Sequence, residues 1–243
     1  MVELALKLAL SPLLLAQAVH TRWRLPKLPE AAGPRQGRVA AVGAPAGARL
    51  RLLIVGDSSA AGVGVDLQDD ALAGRLSQAL ARRLGLTVQW QLCAQSGVTT
   101  AQAVALLHAA APADVAVLVT GVNDVVDQVR PAAALAARTS LVAILRQRTG
   151  VRHLVLTPVP PMHRFSGLPQ PLRWLAGRDA AAHQHALAGW VERQAGISHL
   201  PFDMPLHDPR MLARDGFHPA APLYRRWGEA LAEHIATAVW PRL

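Results

Sequence analysis

Three short polar clusters follow apolar runs in this chain: Gly56-Asp57-Ser58, Ala94-Gln95-Ser96-Gly97 and Gly121-Val122-Asn123-Asp124. A fourth, Asp215-Gly216-Phe217-His218, stands just before the last helical pattern. These residue types suit acyl transfer to a hydroxyl. A serine just past a buried strand, with glycine two places before it, can be presented on a tight turn. At neutral pH its hydroxyl is a poor nucleophile and needs a neighbouring base, a task His218 can perform. Asp215, three residues earlier on one turn, can accept the other imidazole N–H, fix the tautomer and stabilise imidazolium. Each cluster also has a plain structural use. Ser58 can cap a helix, Gly97 can serve a turn, and Asn123 or Asp124 can cap the segment after a strand.

Other chemistries fit less well. The nucleophile elbow G-x-S-x-G fails because Ala60 holds its last position. A dinucleotide fingerprint lacks its third glycine, since Val65, Asp66 and Leu67 follow Gly62-x-Gly64, and no Walker lysine is present. Cys93 is the single cysteine, so no disulfide framework or multi-cysteine metal site can form. It reads as a small buried side chain at a strand end, although a cysteine nucleophile sharing His218 stays open. His183-Ala-His185 has a spacing that turns the two rings to different helix faces. Trp174 is a candidate for the wall of an acyl pocket.

The elements that must position these groups alternate. Residues 50–55, 87–92, 115–120, 151–157 and 197–202 read as five strands, the first a nearly continuous apolar run. Helical patterns lie at 69–84, ending before Gly85; 100–110, with Thr99 or Thr100 as cap; 132–148, ending at Gly150; 180–195; and 220–238. A prolyl loop (Pro158, Pro160, Pro161) and a long segment, 163–180, separate the fourth strand from its helix. Strands alternating with helices imply parallel pairing and right-handed crossovers. Ligands then bind beyond the carboxyl ends of the strands, where the clusters sit.

In this order and at these positions, the four clusters resemble the motif blocks of the SGNH hydrolases, the GDSL esterase/lipase family. The resemblance covers roughly 50–238, and one departure from it is Ser59, where the family name implies leucine. It implies an α/β fold: a three-layer α/β/α sandwich around a five-stranded parallel sheet with flavodoxin-like strand order. It also implies Ser58 as nucleophile, His218 as base and Asp215 as its orienter. The oxyanion hole would combine the N–H groups of Ser58 and Gly97 with the Asn123 amide. Asp57 and Asp124 are expected to stabilise loops rather than move protons.

Composition agrees with one globular domain. Of 243 residues, 51% are hydrophobic and 17% charged, unlike a disordered chain, while only 4% are aromatic, which leaves core volume to Leu, Val and Ala. The net charge is +9, but residues 1–38 carry Lys7, Arg22, Arg24, Lys27, Arg35 and Arg38 against Glu3 and Glu30, a net of +4. The other +5 is dispersed, so no basic stripe for nucleic acid exists. Residues 1–49 are expected to form an apolar, basic segment with an irregular connection at 26–49, and 50–243 the hydrolase domain. Residues 4–19 are apolar but too short to span a bilayer as a helix, and Pro12 should break or kink them. A helix docked on the domain or lying at an anionic membrane face through residues 1–25 is favoured over a signal peptide cut near Ala16-Gln17-Ala18 or an anchor. The expected setting is therefore cytoplasmic or membrane-associated, with export as the alternative.

The expected activity is a serine esterase acting on a small-molecule ester of short or medium acyl chain, without metal or nucleotide cofactor. A thioesterase, lysophospholipase or carbohydrate deacetylase would use the same machinery. A non-catalytic acyl-binding module and a flavodoxin-like nucleotide binder are weaker readings.

Overall fold

The computed structural model describes residues 2–200 and 202–243, with side-chain surroundings from residue 8 onward. The central sheet contains β1 (Gln36–Ala40), β2 (Arg49–Gly56), β3 (Thr87–Ala94), β4 (Val115–Val119), β5 (His153–Leu156) and β6 (Ile197–His199). Their spatial order is β1-β3-β2-β4-β5-β6. The five later strands pair in parallel, in the flavodoxin-like order expected. The chain steps from β2 to β3 in one direction, then crosses back past β2 to β4, β5 and β6. Right-handed crossovers of opposite direction put their connections on opposite faces. Hence α2 (Leu72–Leu84) covers one face together with α6 (Ala221–His234), against which it packs. The other face carries a 3₁₀ turn at Gln102–Ala109, α4 (Pro131–Thr149) and α5 (Leu172–Val191). The reversal occurs at the carboxyl end of β2, which makes that strand end the topological switch point.

Local chemistry explains the element ends. All five side chains of β4 are buried, and β2 is buried from Leu52 onward, as strands covered on both faces require. Helix α2 stops at Gly85, whose left-handed backbone lets its N–H reach the Ala81 carbonyl. Proline begins α4 where no N–H partner is needed, and Gly150 ends it in the same left-handed manner.

Several expectations need correction. The sheet has six strands, not five, and the additional one is antiparallel: β1 lies inside the stretch read as an irregular connection. Gln36–Ala40 is short and half-polar, so it has no hydrophobic signature. Its placement follows from the open edge of β3, where Gly37 lies close over the Trp90 ring. The 3₁₀ turn replaces the α-helix expected at 100–110, and α5 begins near residue 172, absorbing part of the segment read as a long insertion. Pro12 does not interrupt α1 (Val2–Arg24). The Leu8 carbonyl, deprived of a proline N–H, instead accepts the Ser11 hydroxyl at 2.8 Å. No helix among the described residues is long and apolar enough to cross a membrane.

Candidate active site

Ser58 sits two residues beyond β2, on a turn where the Asp57 N–H donates to the Val119 carbonyl of β4 at 3.0 Å. The Val63 N–H returns to the Ser58 carbonyl at 3.0 Å and closes the turn. Farther along, Gly64 passes so close to the Pro219 carbonyl that a Cβ would lie 2.1 Å from it. Only glycine allows this approach, which seats the 215–219 loop against the Ser58 loop.

Across that junction the Ser58 hydroxyl lies 3.0 Å from His218 Nε2. His218 Nδ1 lies 2.5 Å from Asp215 Oδ2, and the N–H groups of Phe217 and His218 each donate to Asp215 Oδ1 at 3.0 Å. Burial works against ionisation of Asp215. The imidazole and the two amides outweigh it and hold this carboxyl below its ordinary range. Phe217 also packs edge-on to the imidazole, with Phe165 behind it. The imidazole is thus fixed on three sides before any substrate arrives.

Gly97 lies three residues beyond β3, and Asn123 stands on α3 (Val122–Val126), the short helix after β4; these two strands flank β2. Gly97 has φ +83° and open space where a Cβ would point. The glycine therefore answers a left-handed backbone, not only the steric need of a substrate oxygen. The Asn123 amide donates to the Val98 carbonyl at 2.9 Å, joining the two loops and leaving its second hydrogen available. No hydrogen bond within the described residues engages the N–H of Ser58 or Gly97. Such free donors beside a nucleophile can receive a developing oxyanion.

A buried polar network lies behind Asn123. Asp124 accepts from the Thr100 N–H at 2.9 Å and the Thr100 hydroxyl at 2.5 Å. Arg138, 3% exposed, reaches the hydroxyls of Thr100 and Thr120 at 3.3 and 3.2 Å. Thr100 is therefore spent on Asp124 rather than capping a helix. Arg138 went unnoticed in the sequence, although it occupies the helix face of Ala134, Leu141, Val142 and Leu145. A charge on an apolar stripe was the available signal. Asp57 is also buried and accepts the Ser59 N–H at 3.0 Å. Burial pushes its carboxyl up to about 7, with that amide and His218 opposing the rise.

The cleft beside Ser58 encloses about 510 Å³, its open mouth included, and is walled by apolar side chains such as Pro160, Phe165, Met204, Leu206 and Leu212. Trp174 does not line it: the ring is exposed and lies under the Arg178 guanidinium. Cys93 is buried in β3 and burial pushes its thiol up, so the group that meets His218 is Ser58. His183 is a satisfied core residue that contacts the Val129 carbonyl.

Residues 54–226 match the model of the GDSL-like lipase/acylhydrolase family. The chain belongs to that family. It is accordingly an ester-hydrolysing enzyme. A GDSL-like esterase of Mycobacterium tuberculosis is 29% identical over 249 residues, covering 95% of this chain and 78% of the relative. Of the solved structures, a lipase from a goat rumen metagenome superposes with TM-score 0.64 at 18% identity, over 78% of this chain and 99% of that one. TesA superposes with TM-score 0.59 at 25% identity, over 76% and 97%. Both likenesses are of the α/β fold, and α1 and β1 lie outside the matched family region.

Proposed function

We propose that this GDSL-family enzyme is a serine carboxylesterase for short to medium acyl chains. The observation that carries the reading is the unbroken Ser58–His218–Asp215 relay at the mouth of an apolar cleft. His218 Nε2 takes the Ser58 proton as Oγ attacks the ester carbonyl, and Asp215 stabilises the resulting imidazolium. The N–H groups of Ser58 and Gly97 and the Asn123 amide hold the tetrahedral oxyanion. His218 then protonates the departing alcohol, leaving an acyl-serine. Water, deprotonated by the same imidazole, attacks this ester, and the imidazolium returns the proton to Ser58 Oγ as the acid leaves. The apolar side chains beside Ser58, Pro160, Phe165 and Leu206 among them, support an acyl group as the bound moiety.

The test uses a fluorophosphonate probe and a panel of p-nitrophenyl esters with wild type and Ser58→Ala. Wild type is expected to be labelled once and to prefer short chains, and Ser58→Ala should neither label nor turn over. Undiminished labelling of Ser58→Ala would overturn the nucleophile assignment. A thioester or acetylated glycan turned over far better than any oxygen ester of the panel would replace the substrate class.

A further inference from the structure

Helix α1 is held by one side and bare on the other. The Gln17 amide donates to the Gln170 carbonyl at 2.6 Å, and the Leu172 N–H donates to Gln17 Oε1 at 3.1 Å. Thr21, on the same side, is buried. At 100° per residue, Leu8, Pro12, Leu15, Val19 and Trp23 fall within a sector about 80° wide on the opposite side. Leu15 is 67% exposed and Trp23 86%, values foreign to a finished core face. Exposed Arg22 borders this stripe, exposed Arg24 and Lys27 stand at or just beyond the carboxyl end of the helix, and residues 8–29 contain no acid.

We propose that this stripe is a docking surface for an anionic lipid bilayer, on which α1 lies in the plane of the headgroups. The stripe runs about 22 Å from Leu8 to Trp23. It has the makings of an interfacial helix: aliphatic side chains to bury, an indole for the headgroup level and cations beside them. A second protein copy would need a complementary acidic rim, whereas the phosphates of the bilayer supply that charge directly. Docking also has a consequence for the enzyme. Helix α1 rests on Gln170 and Leu172, a few residues beyond Gly167, whose N–H donates to Gly216 of the His218 loop at 2.9 Å. The cleft rim is thereby tied to the membrane-facing helix. The proposal stands apart from the Ser58 chemistry.

The test is vesicle flotation of the full chain. Vesicles of equal parts phosphatidylglycerol and phosphatidylcholine are expected to bind on the order of a hundredfold better than pure phosphatidylcholine, from about fivefold for each of three cations. The paired substitution Leu15→Glu and Val19→Glu should abolish binding while leaving the unfolding midpoint and soluble-ester hydrolysis unchanged, since both side chains face solvent. Equal binding to the two vesicles, or binding that survives the paired substitution, overturns the proposal. So does a lipid-free dimer that the substitution dissolves together with no affinity for either vesicle.

A separate observation concerns the glycine loop. Glu30, from the stretch before β1, accepts the Ser96 N–H on Oε1 at 2.7 Å while Oε2 pairs with Arg35. Arg35 in turn donates to the Ala94 carbonyl at 2.5 Å. We infer that Glu30 is a positioning residue that fixes the Gln95–Ser96 peptide and, through Ser96, the backbone that aims the Gly97 N–H, an inference resting on the proposed oxyanion hole. Glu30→Ala is expected to lower kcat about tenfold with KM nearly constant. Glu30→Gln, which retains an acceptor for Ser96, should restore most of it. Equal loss in both variants, or a change in KM alone, overturns the positioning role. Failure of the hydrolase reading itself would show separately, as activity retained by Ser58→Ala.

Discussion

Replacing Asp57 by asparagine isolates the energetic cost of placing a buried carboxyl beside Ser58. Burial pushes Asp57 up to about 7 from an ordinary value of 3.8. The interval is about three pH units, worth about 4 kcal/mol between the fully protonated and fully ionised limits. The sign follows from the folded value lying above the unfolded one. The contribution is complete below about pH 4 and is lost as pH rises to about 7. Over pH 5 to 8 the loss amounts to roughly 2 to 3 kcal/mol. Asp215 acts in the opposite sense, because its folded carboxyl is held low: its stabilisation is present above the ordinary carboxylate range and fades on acidification. Asp215 is common to both proteins, so its contribution largely cancels in the comparison. An asparagine at 57 keeps an oxygen for the Ser59 N–H and carries no titrating proton. Urea unfolding of wild type and Asp57→Asn at pH 5, 6, 7 and 8 should therefore show the variant gaining roughly 2 to 3 kcal/mol relative to wild type across the series. A difference that stays constant to within about 0.5 kcal/mol would refute the reasoning, because a carboxyl ionised throughout pH 5 to 8 contributes no slope.

Three further outcomes are expected. Asn123→Ala should reduce kcat by on the order of 10²–10³ with little change in KM, in steady-state assays on a p-nitrophenyl ester; a pure KM effect removes Asn123 from the oxyanion hole. Asp215→Asn should keep the fold but lower kcat by about 10⁴, because the amide favours the wrong imidazole tautomer; an activity near wild type would show that the relay ends at His218. Arg138→Met removes the buried cation that faces Asp124 across Thr100 and should cost about 1–3 kcal/mol in chemical denaturation. Adding Asp124→Asn should recover part of that loss, whereas strict additivity of the two changes would place them in separate networks.

Local sequence chemistry determined much of this molecule. The continuous apolar run of β2 and β4, the stops at Gly85 and Gly150, and the Asp-x-x-His spacing of the 215–218 turn all concern groups within a few residues of one another. Their period, caps and turn geometry are written in neighbouring side chains, whereas the order of the parallel strands came only from the resemblance to the SGNH hydrolases. Tertiary structure decided the rest. The Ser58–His218 contact joins positions 160 apart in sequence, and it depends on the close passage of Gly64 by Pro219. β1 has no hydrophobic signature because an edge strand is specified by the open ladder it meets. Glu30 looks like an ordinary surface charge until the fold brings Ser96 to it, and the apolar stripe around Arg138 points to its burial without naming Thr100 and Thr120 as its partners. The groups that compensate a buried charge come from distant parts of the chain, so local sequence does not specify them.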